Sequence, residues 1–139
     1  MNLFVYGSLR AGETGEMAAL LHRHARHLGE GTIRACLYAV SWYSIAAPCG
    51  EPDAVVHGDL FELHPGEADE VLAALDAYEG SEFRRTEVEV RRAGETSVGA
   101  EAYLCAASVE GLRRIVHGDW RREREAGGGA PLANPAKTG

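Results

Sequence analysis

Lysine is nearly missing from this chain of 139 residues: there are 14 basic residues, and every one except Lys137 is an arginine. Chemistry that needs a Schiff-base lysine, or a phosphate loop with its lysine, is thereby excluded. Positive charge is short overall. The formal net charge of −7 leaves no basic stripe of the kind that neutralises nucleic-acid phosphates, so no nucleic-acid partner is expected. No apolar run approaches the roughly 18 residues of a membrane span, and no basic segment with an apolar core precedes the first apolar run. The expected setting is the cytoplasm, with no membrane partner. Cysteine is sparse and odd in number. Cys36, Cys49 and Cys105 show no CxxC spacing, so neither a disulfide framework nor a thiolate metal site is expected, and the two in predicted strands, Cys36 and Cys105, read as small buried hydrophobes.

What remains is ordinary for a folded domain, with 45% apolar and 25% charged residues. One domain is expected over residues 1–125, followed by a flexible tail over 126–139, where a Gly-Gly-Gly run and two prolines replace large apolar side chains. Along the chain, an apolar run from Asn2 to Tyr6 reads as a strand. Thr14 then caps a helix running to about Leu28, with Met17, Leu20 and Leu21 on its stripe. Thr32–Val40 reads as a strand. The aromatic, proline-bearing segment from Ser41 to Asp53 reads as a loop over the core or over a pocket mouth. Ala54–Leu63 is the next strand, where Gly58 marks a bulge or a close backbone approach. A second helix, Glu67–Tyr78, buries Ala68, Val71, Leu72, Leu75 and Tyr78 and stops at Gly80. Strict alternation from Arg85 to Arg92 predicts a half-buried strand, joined through a turn at Ala93–Thr96 to a strand over Val98–Ala106. Ser108 caps a short helix, Val109–Val116. The order β-α-β-β-α-β-β-α predicts an α+β fold around a curved, mixed or mostly antiparallel sheet.

Two places carry chemical interest. Val5-Tyr6-Gly7-Ser8-Leu9-Arg10 ends the first strand in a glycine turn, where backbone N–H groups can converge on a carboxylate, a carbonyl oxygen or a developing oxyanion. The same six residues also fit a tight strand exit without chemistry. Glu79 breaks a local rule, since it stands at the negative end of a helix where Lys, Arg or His is usual. The dipole and partial shelter beside Tyr78 both push a carboxyl pKa upward, towards what a general base near neutral pH requires. An exposed Glu79 paired with Arg84 or Arg85 is the alternative.

Other patterns are weaker. His22, His24 and His27 lack metal-ligand spacing on a helix and read as a solvated face. Gly7 to Thr14 mimics a phosphate loop, but Glu13 stands where its lysine must be. Ser8 lacks the nucleophile elbow and an indicated base. Tyr103 is either core packing or a pocket hydroxyl. Gly118-Asp119-Trp120 reads as a packing and turn element.

Taken with Val56-His57-Gly58-Asp59-Leu60-Phe61-Glu62-Leu63, Leu75-Asp76-Ala77-Tyr78-Glu79-Gly80, Phe83-Arg84-Arg85, Ala102-Tyr103 and Gly118-Asp119-Trp120, the N-terminal turn resembles the γ-glutamylcyclotransferase-like family in residue type and order, from about Asn2 to Arg121. The resemblance implies a small mixed β-barrel with flanking helices. It also implies an enzyme, free of metal and cofactor, that cyclises a γ-glutamyl group to 5-oxoproline and releases the attached amine. By position, Glu79 matches the catalytic glutamate, Tyr6, Gly7, Ser8 and Leu9 match the substrate-binding loop, and Tyr103 matches a pocket tyrosine. The implied partner is a small γ-glutamyl compound: a γ-glutamyl-lysine-type amine, a dipeptide or a γ-glutamyl-protected intermediate. Ser41–Ile45 lacks the Tyr-Pro pair frequent in the family, and Phe83 replaces a common tyrosine. A relative that keeps the barrel only to bind a metabolite or a protein is the competing class.

Overall fold

The chain runs β1 (Asn2–Val5), α1 (Glu16–Arg23), β2 (Ala25–Arg34), β3 (Cys36–Val40), β4 (Tyr43–Ala47), β5 (Val55–Leu63), α2 (Ala68–Glu79), β6 (Phe83–Arg92), β7 (Ser97–Cys105), β8 (Arg113–Ile115) and α3 (Trp120–Ala126). These elements come from a computed structural model, which describes residues 1–94 and 96–126. Five strands close a barrel in the order β1-β5-β2-β6-β7, and β4-β3-β8 form a separate small sheet. The barrel is antiparallel except where β1 meets β7 in parallel, with Leu3 opposite Glu101. The expected α+β barrel with flanking helices is therefore the observed architecture.

Period-two alternation sorts the core into two clusters. Leu3 and Val5 join Leu9, Leu21, Phe61, Leu63 and the buried stripe of α2, whereas Phe4 and Tyr6 join Val56, Leu60, Val90, Ala102 and Trp120. A strand buried on both faces reads as a continuous apolar run, which is why Leu3-Phe4-Val5-Tyr6 shows no alternation. Gly58 has the second of its two expected roles. A Cβ there would lie 2.2 Å from the Val5 carbonyl oxygen, so glycine permits β1 to approach β5 closely. The register shift in this part of the barrel falls instead between His27 and Gly29.

Several local expectations are corrected. The first helix starts at Glu16 with Gly15 as its N-cap and ends at Arg23; Ala25–His27, read as helix, pair with Phe61–Leu63 of β5. Apolar spacing alone fits either state over so few residues, and the long-range pairing decides. The segment from Ser41 to Asp53 contains β4, which forms a hairpin with β3. In place of a helix over Val109–Val116, Gly111 adopts φ +83° and Arg113–Ile115 pairs with β3. The tail expected over 126–139 lies outside the described residues except for Ala126, the last residue of α3. Among the described residues, no helix is long and apolar enough to cross a membrane.

The cysteines also differ from expectation. Cys36 and Cys49 form a disulfide, and Cys105 is free. Cys36 faces Ala47 across the β3–β4 hairpin, which brings Cys49, two residues further on, alongside it. Spacing in sequence conceals this because the hairpin itself was not expected.

Candidate active site

Helix α2 carries the central carboxylate. Its buried positions are Val71, Leu72, Leu75 and Glu79, an unbroken helical stripe. Glu79 thus occupies the core position assigned from sequence to Tyr78, and only 1% of it is exposed. The helix has no basic residue in its last turn, and it stops at Gly80, which has φ +87° and donates its N–H to the Asp76 carbonyl at 3.2 Å. A carboxyl group here sits at the negative helix end and away from bulk water, two circumstances that disfavour its ionised form.

The N-terminal turn meets this helix end. Arg10 donates its N–H to the Gly7 carbonyl at 3.1 Å, closing the turn that follows β1. Ser8 hydrogen-bonds the Tyr78 side chain, and Leu9 is fully buried in the cluster shared with α2. Tyr6 is also fully buried. Its hydroxyl donates to the Tyr103 carbonyl at 2.6 Å and accepts the Ala46 N–H at 3.1 Å. Burial first, and then the charge of Glu79, push the Tyr6 phenol well above its ordinary value. Tyr78 and Tyr103 are also pushed up, chiefly by burial, with Glu79 contributing to both. All three phenols therefore remain protonated around the carboxyl group. The structure brings Tyr6, Ser8, Tyr103 and Glu79 into one neighbourhood.

Of the two roles left open for Tyr103, core packing is the one observed. Its ring is 2% exposed in the core, and its hydroxyl donates to Asp76 at 2.7 Å. Asp76 in turn accepts two bonds from Arg85, at 2.9 and 3.0 Å, and Arg85 also pairs with Glu101. Arg85 thus serves Asp76, three residues before Glu79, and not Glu79 itself. Hydrogen bonding to Arg85 is the main cause that holds Asp76 below its ordinary value of 3.8. Because the folded value is the lower one, this stabilisation is present above the unfolded value and disappears as pH falls through the folded one. Urea midpoints measured against pH should accordingly fall more steeply below about pH 4 for the wild type than for Asp76→Asn; parallel acid limbs would refute this.

Sequence reasoning missed the support behind the turn. Asp59, 2% exposed, accepts from Arg10 Nε at 2.8 Å and from the Ala11 N–H at 3.3 Å, and it bonds His27 Nε2 at 2.9 Å. Arg10, 4% exposed, also reaches Asp119 at 3.4 Å. His22 Nε2 donates to the Leu9 carbonyl at 2.9 Å, and the rings of His22 and His27 both lie 5.0 Å from that of Phe61. These histidines are not one helix face: His22 lies on α1 and His27 on β2. The available signal was a carboxylate in the middle of an apolar strand, Gly58-Asp59-Leu60, which demands a buried partner. Asp119 accepts the Arg121 N–H at 3.0 Å, capping α3, and Gly118 packs so closely on β5 that a Cβ would lie 1.9 Å from the Val55 carbonyl oxygen. The packing and turn role expected for this tripeptide is the one observed.

Among the described residues, the group that could present three metal ligands together is Cys36, Cys49 and Glu51, none of which belongs to this site. An open groove of about 330 Å³ at the β1–β7 seam, bordered by Asn2, Glu87, Gly99 and Glu101, also contains none of the candidate residues.

The sequence matches the family model described as gamma-glutamyl cyclotransferase, AIG2-like, over residues 3–122. No curated protein sequence matches it. Among solved structures, protein ytfP from Escherichia coli is 30% identical, with a TM-score of 0.57 and coverage of 86% of this chain and 96% of that one. An AIG2-like protein from Mus musculus is 25% identical, with a TM-score of 0.62 and coverage of 78% and 79%. YkqA from Bacillus subtilis is 20% identical, with a TM-score of 0.72; 91% of this chain is covered, but it spans only 42% of YkqA.

Proposed function

Since the chain belongs to the gamma-glutamyl cyclotransferase, AIG2-like family, we propose that it cyclises the γ-glutamyl group of a small amide to 5-oxoproline and releases the amine, with Glu79 moving the protons. The observation that carries this reading is the near-complete burial of Glu79, 1% exposed, at the wrong end of a helix for a carboxylate. A stability-driven sequence would place an apolar residue at this stripe position, and departures of this kind gather at functional sites.

The reaction needs no external nucleophile. The substrate's α-amine attacks its own γ-carbonyl carbon, forming the ring C–N bond, and the bond from that carbon to the departing amine then breaks. Held in the reactive conformer, such an intramolecular attack has an effective molarity of roughly 10⁵ M or more. Glu79 accepts the proton that the α-ammonium must lose and returns one to the leaving nitrogen. Gly7, Ser8 and Leu9 offer backbone N–H groups to the substrate carboxylate or to the developing oxyanion. Tyr6, its hydroxyl tied to the Tyr103 carbonyl and the Ala46 N–H, fixes the root of that turn, and Tyr103 closes the neighbourhood from β7.

Incubating the protein with a panel of γ-glutamyl amines, dipeptides and γ-glutamyl-ε-lysine, and quantifying 5-oxoproline, tests this directly. Release of 5-oxoproline with an equal amount of free amine is the expected result. Binding without product at every pH from about 6 to 9, the range in which a base of this kind operates, would overturn it in favour of a binding module.

A further inference from the structure

A cytoplasmic setting, as expected from the sequence, would keep Cys36 and Cys49 as two thiols and not as the disulfide. Reduction adds two electrons and two protons across the S–S bond, and a cellular dithiol supplies them. The two sulfurs then remain side by side, because the hairpin holds the Cα atoms 5.9 Å apart. We propose that the reduced pair, together with Glu51, forms a site for one thiophilic divalent cation of the zinc class. This inference is independent of the chemistry assigned to Glu79.

The donor atoms are already gathered. Both sulfurs and a Glu51 carboxylate oxygen lie within 4.8 Å of one another. In a tetrahedral zinc site with bonds of about 2.3 Å to sulfur and 2.0–2.2 Å to oxygen, donors stand roughly 3.3–3.8 Å apart. Only side-chain adjustment separates the two arrangements. The backbone around the donors is held: Cys36 is 1% exposed at the start of β3, Arg34 donates to the Pro52 carbonyl at 2.8 Å, and the Ala54 N–H donates to the Glu51 carbonyl at 3.3 Å. Glu51 Oε2 lies 3.6 Å from Cys36 Sγ and accepts from Arg114 at 2.6 Å, so that guanidinium holds the carboxylate against the sulfurs.

Charge also balances. Two thiolates and a carboxylate carry three negative charges, which the cation and the Arg114 guanidinium together cancel. Arg114 thereby favours the thiolates that a metal requires, and cation binding displaces the two thiol protons into solvent. Thiolate donors select zinc-class ions over magnesium or calcium, and a water completes the fourth position on the exposed Glu51 side.

The test is titration of the full chain with cobalt(II), after reduction by a phosphine and under anaerobic conditions, followed by displacement with zinc(II). One equivalent should bind and give a thiolate-to-cobalt charge-transfer band that zinc removes. The oxidised protein should show no band, and Cys105→Ser should behave as the wild type. Cys36→Ser and Cys49→Ser should lose the band. Because either substitution could unfold the hairpin, Glu51→Gln, on a side chain 60% exposed, provides the decisive variant, and its cobalt affinity should fall about tenfold or more. No band in the reduced wild type, a band surviving in either cysteine variant, or unchanged affinity in Glu51→Gln would each overturn the site.

Discussion

Glu79→Gln is expected to abolish 5-oxoproline release while leaving the fold intact. Glutamine has almost the same volume and retains hydrogen-bonding capacity, but it cannot accept the α-ammonium proton. Loss of a positioned acid–base group costs about 10²–10⁴ in rate, so turnover should fall by at least two orders of magnitude. Stability should move the other way or not at all. A carboxyl group 1% exposed at the negative helix end is costly to accommodate, and the neutral amide removes the dipole conflict. An equal or raised melting temperature, together with lost activity, is the signature of a residue retained for chemistry. Activity within threefold of the wild type would sink the assignment, since a factor that small is below the about 10²-fold expected for acid–base catalysis.

The second large effect concerns the support of the turn. Asp59→Ala leaves the guanidinium of Arg10, 4% exposed, without its nearest carboxylate and also frees His27. Breaking a buried ion pair from one side costs about 3–5 kcal/mol. Arg10 keeps its 3.4 Å contact with Asp119, which places the expected loss at the lower end, about 3 kcal/mol. That is a large part of the roughly 5–15 kcal/mol holding a domain folded. Arg10→Met combined with Asp59→Leu removes both charges and should recover most of the loss, because apolar replacement of a whole buried pair is often neutral or better. Urea denaturation of Arg10→Met, Asp59→Leu and the double variant gives the coupling. A loss below about 1 kcal/mol in Asp59→Ala, the level of an exposed pair, would show that the network is decoration.

Much of the barrel was legible because its strands carry their own signals: the alternation of Arg85–Arg92, the apolar run of β1 and the glycine of β5. Helix α2 was legible for the same reason. Its final buried position was misassigned to Tyr78 because hydrophobicity favours an aromatic ring over a carboxylate, although the spacing Leu72, Leu75, Glu79 was equally available. The sheltering of Glu79 was nevertheless anticipated, from its place beside Tyr78 at the helix end. What escaped depends on partners distant in sequence. The Asp59 bonds to Arg10 and His27 span 49 and 32 residues. Residues 25–28 became strand only because β5 lies beside them, and the Cys36–Cys49 link required a hairpin that local composition presented as a loop. Local pattern specifies an element, whereas its neighbours decide which competing pattern survives.

The Tyr6 hydroxyl links the two sheets by hydrogen bonds, accepting the N–H of Ala46 on β4 and donating to the carbonyl of Tyr103 on β7. The Ala46 amide can therefore exchange with solvent only when that phenol lets go, so its exchange rate counts the openings at the root of the turn. It serves as a spectroscopic gauge placed by the fold itself, able to register ligand-induced tightening of the turn without any change to a residue that would touch the substrate.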